Sequence, residues 1–521
     1  MELMREHSAV TRPTSYSPPG RQSTAIRSDG EAEGRRGDAE TRLNVKDDPF
    51  SSTLSSRHGA ELALTSDSAN HVRLMKLSLS RRHFLKTAAA ASAVGVWPFI
   101  PARALAKAAL VAPSKRITLG VIGLGIQGTG DMKAFLGHPE IQVVAVCDVH
   151  EGQRAKGKQV VDTHYGNQDC ATYKDFRELI ARPDIDAVQI TTPDHWHPLV
   201  ALEAARHGKH MYQEKPMGWS FRAAHAVQNA VQESGVVFQF GTQQRSDGKF
   251  RSACELVRNG KIGQLKTILV GVPGSVSSCP VQPAEPVPTE LDYDLWLGPA
   301  PMAPYSYQRC RPYTQTGGWS VWYSISDYCM GMIGNWGVHH LDIAQWGNNT
   351  ELSGPTEIEG TAVFPKGMLT DCCVSWQVEN RYANGVTLVH MDDATSKKHP
   401  LQMGGHGHGV MFLGTEGWVH VDRQALDANP TSLLQIRLGP NELHLFKSDN
   451  HGANFVDAVK GRSQPAAPID VAVRTDTLCN LQLIAAKLGR KLRWDPDKEQ
   501  FLSDPEANAL LDRPMRAPWR L

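Results

Sequence analysis

The chain has 521 residues, is 41% hydrophobic and 21% charged, and carries a formal net charge of +1. These proportions exclude collagen-like, mucin-like and wholly disordered proteins, and the length allows about three domains of roughly 150 residues each. Beyond residue 106 the net charge is about −3, which gives no electrostatic footprint for a nucleic-acid partner.

Residues 1–74 are rich in Ser, Arg, Glu, Gly and Thr and have no sustained apolar period. They are expected to be disordered or to lie outside the mature protein. At Met75 the pattern changes. A charged segment containing Arg81-Arg82-His83-Phe84-Leu85-Lys86 leads into an Ala-rich, mildly apolar stretch to Phe99, and Ala104-Leu105-Ala106 offers a small-residue cleavage site. This order resembles a twin-arginine export signal over residues 75–106. It predicts translation from Met75, a mature chain from Lys107, passage through the twin-arginine export machinery and a periplasmic destination. An amphipathic helix with two chance arginines is the competing reading. Pro98 and Pro101 interrupt the run before it reaches the roughly 20 apolar residues of a spanning helix. All nine cysteines follow this segment, and no Cys-x-x-Cys occurs, so neither a zinc ribbon nor a disulfide framework is indicated.

Ile117–Ile122 is a continuous apolar run, as a strand covered on both faces requires, and it opens directly into Gly123-Leu-Gly125-Ile126-Gln127-Gly128. A helical segment follows, then the apolar strand Gln142–Cys147 ending in Asp148, 20 residues beyond Gly128. Glycines let the backbone approach a pyrophosphate, the helix N-terminus supplies amides, and an acid at this spacing can bind a ribose 2′-hydroxyl. The pattern predicts a dinucleotide site. Asp148 favours NAD, while Arg154 nearby leaves NADP open. The alternation continues with a helix over 173–181, a strand Asp186–Ile190 and the loop Thr191-Thr192-Pro193-Asp194-His195-Trp196-His197. A helix to His207, a strand His210–Gln213, the loop Glu214-Lys215-Pro216, a helix Ser220–Ser234 and a strand Val236–Phe240 complete it. Three polar clusters therefore fall at the carboxyl ends of strands, where doubly wound sheets bind ligands.

In this order the glycine turn, the Thr-Pro-Asp-x-x-His loop and Gly208-Lys-His-Met-Tyr-Gln-Glu-Lys-Pro216 resemble the glucose-fructose oxidoreductase, inositol dehydrogenase and rhizopine catabolism (Gfo/Idh/MocA) family. Gly241-Thr-Gln-Gln-Arg245-Ser246, Gly414-Thr-Glu-Gly-Trp418 and Leu492-Arg-Trp-Asp495 resemble its exported bacterial branch. The resemblance implies an α/β fold with a doubly wound parallel Rossmann sheet over 115–240. A C-terminal α/β domain with a large, mostly antiparallel open sheet follows over 241–521, and a homo-oligomer is implied as well. Strand-like runs at Thr356–Phe364, Cys372–Val378, Val386–Met391 and Gly417–Asp422, and a helix over Thr475–Leu488, agree independently. The Pro-, Gly- and Ser-rich stretch 272–317 reads as a long loop walling a ligand cavity.

The resemblance assigns Lys215 to both the nicotinamide ribose and the substrate hydroxyl, where a cation stabilises a developing alkoxide, with Glu214 orienting it or the cofactor. The family carries Asp-x-x-x-His in its second motif. Here His339 matches as acid/base, but Asn335 replaces the Asp and cannot raise the His pKa by charge. As one helix, Asn335, His339, Asp342 and Trp346 would share a face, suited to a sugar-binding wall. Arg245, Trp319, Trp322, His340 and Asp342 are further substrate candidates, and Tyr323 could stack on a sugar. Gly404-Gly-His406-Gly-His408-Gly lacks a carboxylate or Cys partner nearby in sequence and reads as a glycine loop; no metal is expected.

The expected activity is nicotinamide-dependent oxidation or reduction of a secondary hydroxyl on a sugar, glycoside or cyclitol. Export would separate the enzyme from free NAD, so a tightly bound cofactor is expected. One alternative is an NAD-dependent glycosidase that oxidises its substrate transiently, eliminates a leaving group and reduces again. A non-enzymatic binding protein is the third reading.

Overall fold

The computed structural model describes residues 112–275, 279–310 and 320–521. The expected export signal, the mature terminus at Lys107 and Trp319 lie outside the described residues.

Six short strands form the first sheet: β1 (Ile117–Ile122), β2 (Ile141–Cys147), β3 (Ala171–Tyr173), β4 (Ala187–Ile190), β5 (His210–Gln213) and β6 (Phe238–Phe240). Their order is β3-β2-β1-β4-β5-β6 and every pairing is parallel. The continuous apolar runs follow from this. Helices cover both faces, so β4 is buried at every position and β1 at all but one. The crossovers are α1 (Ile126–Leu136), α2 (Glu151–Tyr165), α3 (Phe176–Ile180), α4 (His197–Arg206) and α5 (Phe221–Ser234). Strand order reverses between β1 and β4, which opens a crevice at their carboxyl ends. The expected helix over 173–181 is shorter. Tyr173 ends β3, and the Asp175 carboxylate accepts from the Arg177 amide at 2.9 Å, starting the helix at Phe176.

The second sheet has nine strands. β7 (Leu265–Val272) is followed by β8 (Glu357–Val363), β9 (Ser375–Arg381), β10 (Thr387–Asp392), β11 (Gly409–Gly414), β12 (Trp418–Val421), β13 (Leu426–Asn429), β14 (Leu492–Asp495) and β15 (Gln500–Phe501). In the order β13-β12-β11-β7-β10-β9-β8-β14-β15, only the β7–β10 pair is parallel. The strand expected at Cys372 begins at Ser375. The amides of Asp371 and Cys372 donate to the Ser324 carbonyl at 3.0 and 3.1 Å, which holds this segment off the sheet.

One face of the sheet is covered by α6 (Gly248–Arg258) and by α8 (Gly337–Asn348), which follows the short α7 (Met332–Asn335). The helix expected from Thr475 starts earlier, as α10 (Ile469–Leu488), after α9 (His451–Val459). Helix α10 is buried nearly throughout because it packs on β8 and β9 on one side and on α5 of the first half on the other. Asp476 on α10 accepts from the Met217 amide at 3.0 Å, and Ala467 just before it accepts from the Phe240 amide at 2.9 Å. The last residues return to the first half and to the 272–317 stretch. Leu511 accepts from the Arg222 amide, Arg516 pairs with Asp294 at 2.6 Å, and Trp519 meets Trp196 edge-on at 4.8 Å. Among the described residues no helix is long and apolar enough to cross a membrane.

Candidate active site

A cavity of about 1070 Å³ runs along the carboxyl ends of the first sheet's strands and under the second half. The stretch 272–317 supplies part of its wall, through Leu291, Leu295, Trp296 and Tyr305 among others. Gly123, Gly125, Ile126, Gln127, Gly128, Asp148, Thr192, Pro193, Asp194, His197, Glu214, Lys215, Trp322, Asn335 and His339 all line it.

The turn between β1 and α1 depends on its glycines. Gly123 has φ +91°, and a Cβ there would lie 2.3 Å from the Thr191 carbonyl oxygen; a Cβ on Gly128 would lie 2.1 Å from the Gly123 oxygen. At Gly125 a Cβ would meet nothing within 4 Å, so the backbone faces open space beside the first turn of α1. The Asp148 carboxylate accepts from the Leu124 and His150 amides at 2.9 Å each, fixing it at the rim. Burial raises its pKa despite those two amides. Arg154 donates to the Asp148 carbonyl at 2.7 Å and is not part of the cavity wall.

At the other end, three side chains form a chain. Lys215 Nζ donates to Asn335 Oδ1 at 2.7 Å, and Asn335 Nδ2 donates to Asp194 Oδ2 at 3.1 Å. Burial pushes the Asp194 carboxyl up to about 7, against the opposing pull of Lys215 and of the Asn335 hydrogen bond. Glu214, whose Oε1 accepts from Gln243 at 2.6 Å, is also raised by burial. Asp131 on α1 is raised further, by burial and by Glu214. His197 Nδ1 lies 2.6 Å from the Pro216 carbonyl and ties the Glu-Lys-Pro loop to α4. Burial and the cations Arg423 and Lys215 push His339 well below its ordinary pKa, so its imidazole is neutral. Thr192 Oγ1, His197 Nε2, His339 Nδ1 and Asp131 Oδ2 are buried without a hydrogen-bond partner. Buried polar atoms rarely stay unpaired, and four on one cavity wall mark places where a bound molecule completes the bonding. Trp322 stacks on Tyr323 at 3.9 Å, and Lys215 Nζ lies 5.8 Å from the Tyr323 ring.

Three expected substrate residues are engaged elsewhere. The single helical face predicted from Asn335 to Trp346 is broken at Trp336, and only its upper part reaches the cavity. Arg245 is 4% exposed and forks onto both Asp342 oxygens, at 2.7 and 2.8 Å, with Glu351 at 2.9 Å and the Trp346 ring beneath it at 4.9 Å. Arg245 and Asp342 are thus a buried ion pair. His340 is fully buried, with its Nε2 3.1 Å from His408 Nε2. The glycine loop does have carboxylates in space. His406 Nε2 is 3.5 Å from Asp427, and ligand atoms of His406, His420 and Asp422 fall within 4.8 Å of one another. The two imidazoles stack in parallel planes at 3.9 Å and 5°, so as placed they do not converge on one ion.

The sequence reading passed over Asp131, Gln243, Gln244 and Arg423. Gln243 and Gln244 line the cavity from the Gly241-Thr-Gln-Gln-Arg245 segment, whose uncharged amides carry no chemical signature of their own. Arg423 sits in a hairpin turn with no local signal.

Residues 117–242 match a Gfo/Idh/MocA family model described as the NAD-binding Rossmann fold of an oxidoreductase family, and residues 278–521 match that family's C-terminal alpha/beta domain. The chain belongs to the Gfo/Idh/MocA oxidoreductase family. Residues 117–242 are the family's NAD-binding domain, and the open glycine turn, Asp148 and the unpaired polar atoms fit a dinucleotide. Similar proteins include the uncharacterized oxidoreductase YrbE of Bacillus subtilis, 33% identical over 150 residues, which are 29% of this chain and 42% of YrbE. A glycosyl hydrolase family 109 protein of Saccharopolyspora erythraea is 34% identical over 155 residues, 27% of this chain and 34% of that protein. The chain thus spans between 34% and 42% of the length of these Gfo/Idh/MocA-like relatives. In fold, the crystal structure of aldose-aldose oxidoreductase from Caulobacter crescentus aligns with a TM-score of 0.52 at 17% identity. The alignment covers 73% of this chain and 99% of that one.

Proposed function

We propose that this chain oxidises or reduces a secondary hydroxyl of a sugar, glycoside or cyclitol, using tightly held NAD. When bound, the nicotinamide supplies the hydride chemistry. Gly123, Gly125, Gly128 and the first turn of α1 would hold the pyrophosphate, and Asp148 a ribose hydroxyl.

The placement of Lys215 carries the reading. Its ammonium reaches the cavity from the loop after β5 and is held by Asn335, which is in turn held by Asp194. There it donates to the substrate hydroxyl oxygen and stabilises the negative charge that grows as the proton leaves. Neutral His339, with Nδ1 unpaired, accepts that proton or returns it. Asn335 orients Lys215 without adding charge.

Lys215→Ala is expected to lower turnover by about 10²-fold or more while NAD released on denaturation stays at the wild-type level. Activity within a few-fold of wild type would overturn the assignment. A second reading, an NAD-dependent glycosidase, draws support from similarity to the family 109 glycosyl hydrolase. Release of nitrophenol from nitrophenyl glycosides without added cofactor would favour it, whereas accumulation of reduced cofactor would favour a dehydrogenase.

The export reading rests on the segment from Met75 to Ala106 with its Arg81-Arg82 pair. It places the folded, cofactor-loaded protein in the periplasm through the twin-arginine machinery. N-terminal sequencing of the exported chain should begin at Lys107. A homo-oligomer through the partly exposed face of the second sheet, where Val363 is 59% exposed, would show in sedimentation.

A further inference from the structure

We propose that Arg423 forms a carboxylate subsite, so that the preferred substrate is an acidic sugar such as a uronate or its glycoside. The proposal rests on the reading of the cavity as a sugar site.

Arg423 projects from the turn between β12 and β13 onto the cavity wall beside His339 and Trp336. That turn is fixed. Asp422 Oδ1 accepts from the Gln424 and Ala425 amides at 2.7 Å each, which holds the turn in place. The guanidinium lies over the Trp336 ring at 4.5 Å. Gln244, with its amide oriented to suit its neighbours, accepts from Arg423 Nε at 3.2 Å and donates to the His339 carbonyl at 2.8 Å. One edge of the fork is therefore braced against the segment that carries His339. Neither terminal nitrogen has a hydrogen-bond or ion-pair partner among the described residues.

Such a cation is unusual. Arg245 shows how this fold treats a guanidinium it needs only for structure, with carboxylates on three of its nitrogens and a ring beneath. Arg423 has the ring and the brace, but no carboxylate within ion-pair distance, only the longer-range attraction of Glu214. The other cation at this end, Lys215, already donates to Asn335. The carboxyls sharing the space, Glu214 and Asp131, are buried; Glu214 attracts Arg423 electrostatically, but neither lies within ion-pair distance of it. A planar fork with two free donors matches a carboxylate bidentately. A single negative charge balances it. A phosphate dianion would bring excess charge beside Glu214, Asp131 and Asp194.

The test uses the purified, NAD-loaded protein. Binding of D-glucuronate and D-galacturonate is compared by calorimetry with that of D-glucose and D-galactose, and glucose 6-phosphate is included as the dianion. kcat/KM is then measured for whichever pairs turn over. The acids are expected to bind at least about tenfold tighter than their neutral partners. Arg423→Gln should collapse that ratio through KM rather than kcat, and Arg423→Lys should restore part of it. Equal binding of acid and neutral sugars, binding of neither acid, or stronger binding of the phosphate would overturn the proposal. So would loss of bound NAD in Arg423→Gln, since Arg423 would then serve the cofactor. A protein that turns over neutral sugars regardless of position 423 would keep the functional reading and lose only this inference. A protein that retains no NAD would lose the functional reading first.

Discussion

Asp194 pays for its place at the end of the Lys215–Asn335 chain in burial, and the cost depends on pH. Its carboxyl is raised to about 7, against about 3.9 in an unfolded chain. Between those values the folded state keeps a proton that the unfolded state releases. The stability contributed by this group is therefore full below about pH 4 and is lost as the pH rises through about 7. Asp194→Asn should remove the dependence, so its Tm relative to wild type should be higher at about pH 8 than at about pH 5. A difference that ignores pH would contradict the assignment. Arg245→Leu tests the buried pair. Leaving Asp342 and Glu351 without their cation is expected to cost about 3–5 kcal/mol in denaturant unfolding. A loss below about 1 kcal/mol would show that the pair is not structural. The contrast between these residues explains what the sequence could reveal. The glycine turn, Asp148 and Glu214-Lys215 draw their meaning from neighbours within one strand–turn–helix unit. Arg245 meets Asp342 and Glu351 across 97 and 106 residues, and no local pattern marks that contact. Arg423 lacked even a suggestive neighbour.

The turn from β1 into α1 is the element on which nucleotide binding depends. A methyl at Gly128 would press on the Gly123 carbonyl and lift α1 away from β1. Gly128→Ala should reduce copurifying NAD by about tenfold or more, with far-ultraviolet dichroism unchanged. NAD content equal to wild type would mean that the cofactor is held elsewhere. Five of the six parallel strands were readable because they are short runs ending in polar turns; β3, three residues long and only partly buried, was not. Nor were other elements. The central strands β7 and β11 pair with each other across more than 130 residues, and α3 is a single capped turn. The predicted stripe from Asn335 to Trp346 assumed one unbroken helix. Asn335 and His339 do share the cavity side, as their i, i+4 spacing requires, while Asp342 and Trp346 further along hold Arg245.

Across the molecule, α10 belongs to both halves. It covers β8 and β9, packs on α5, and bonds to the loop after Lys215 through Asp476. The halves should therefore unfold together, in one calorimetric transition, and a chain ending at residue 240 should fail to fold. Two well-separated transitions would refute this. The fold class could be read from the order of elements, but this sharing could not, because the surfaces that α10 buries come from segments more than 100 residues apart.

Trp519 presses on Trp196, within the loop that runs from Asp194 to His197. During synthesis the glycine turn leaves the ribosome some 390 residues before that tryptophan does. The loop bearing Asp194 therefore gains this outer support only once nearly the whole chain has been made.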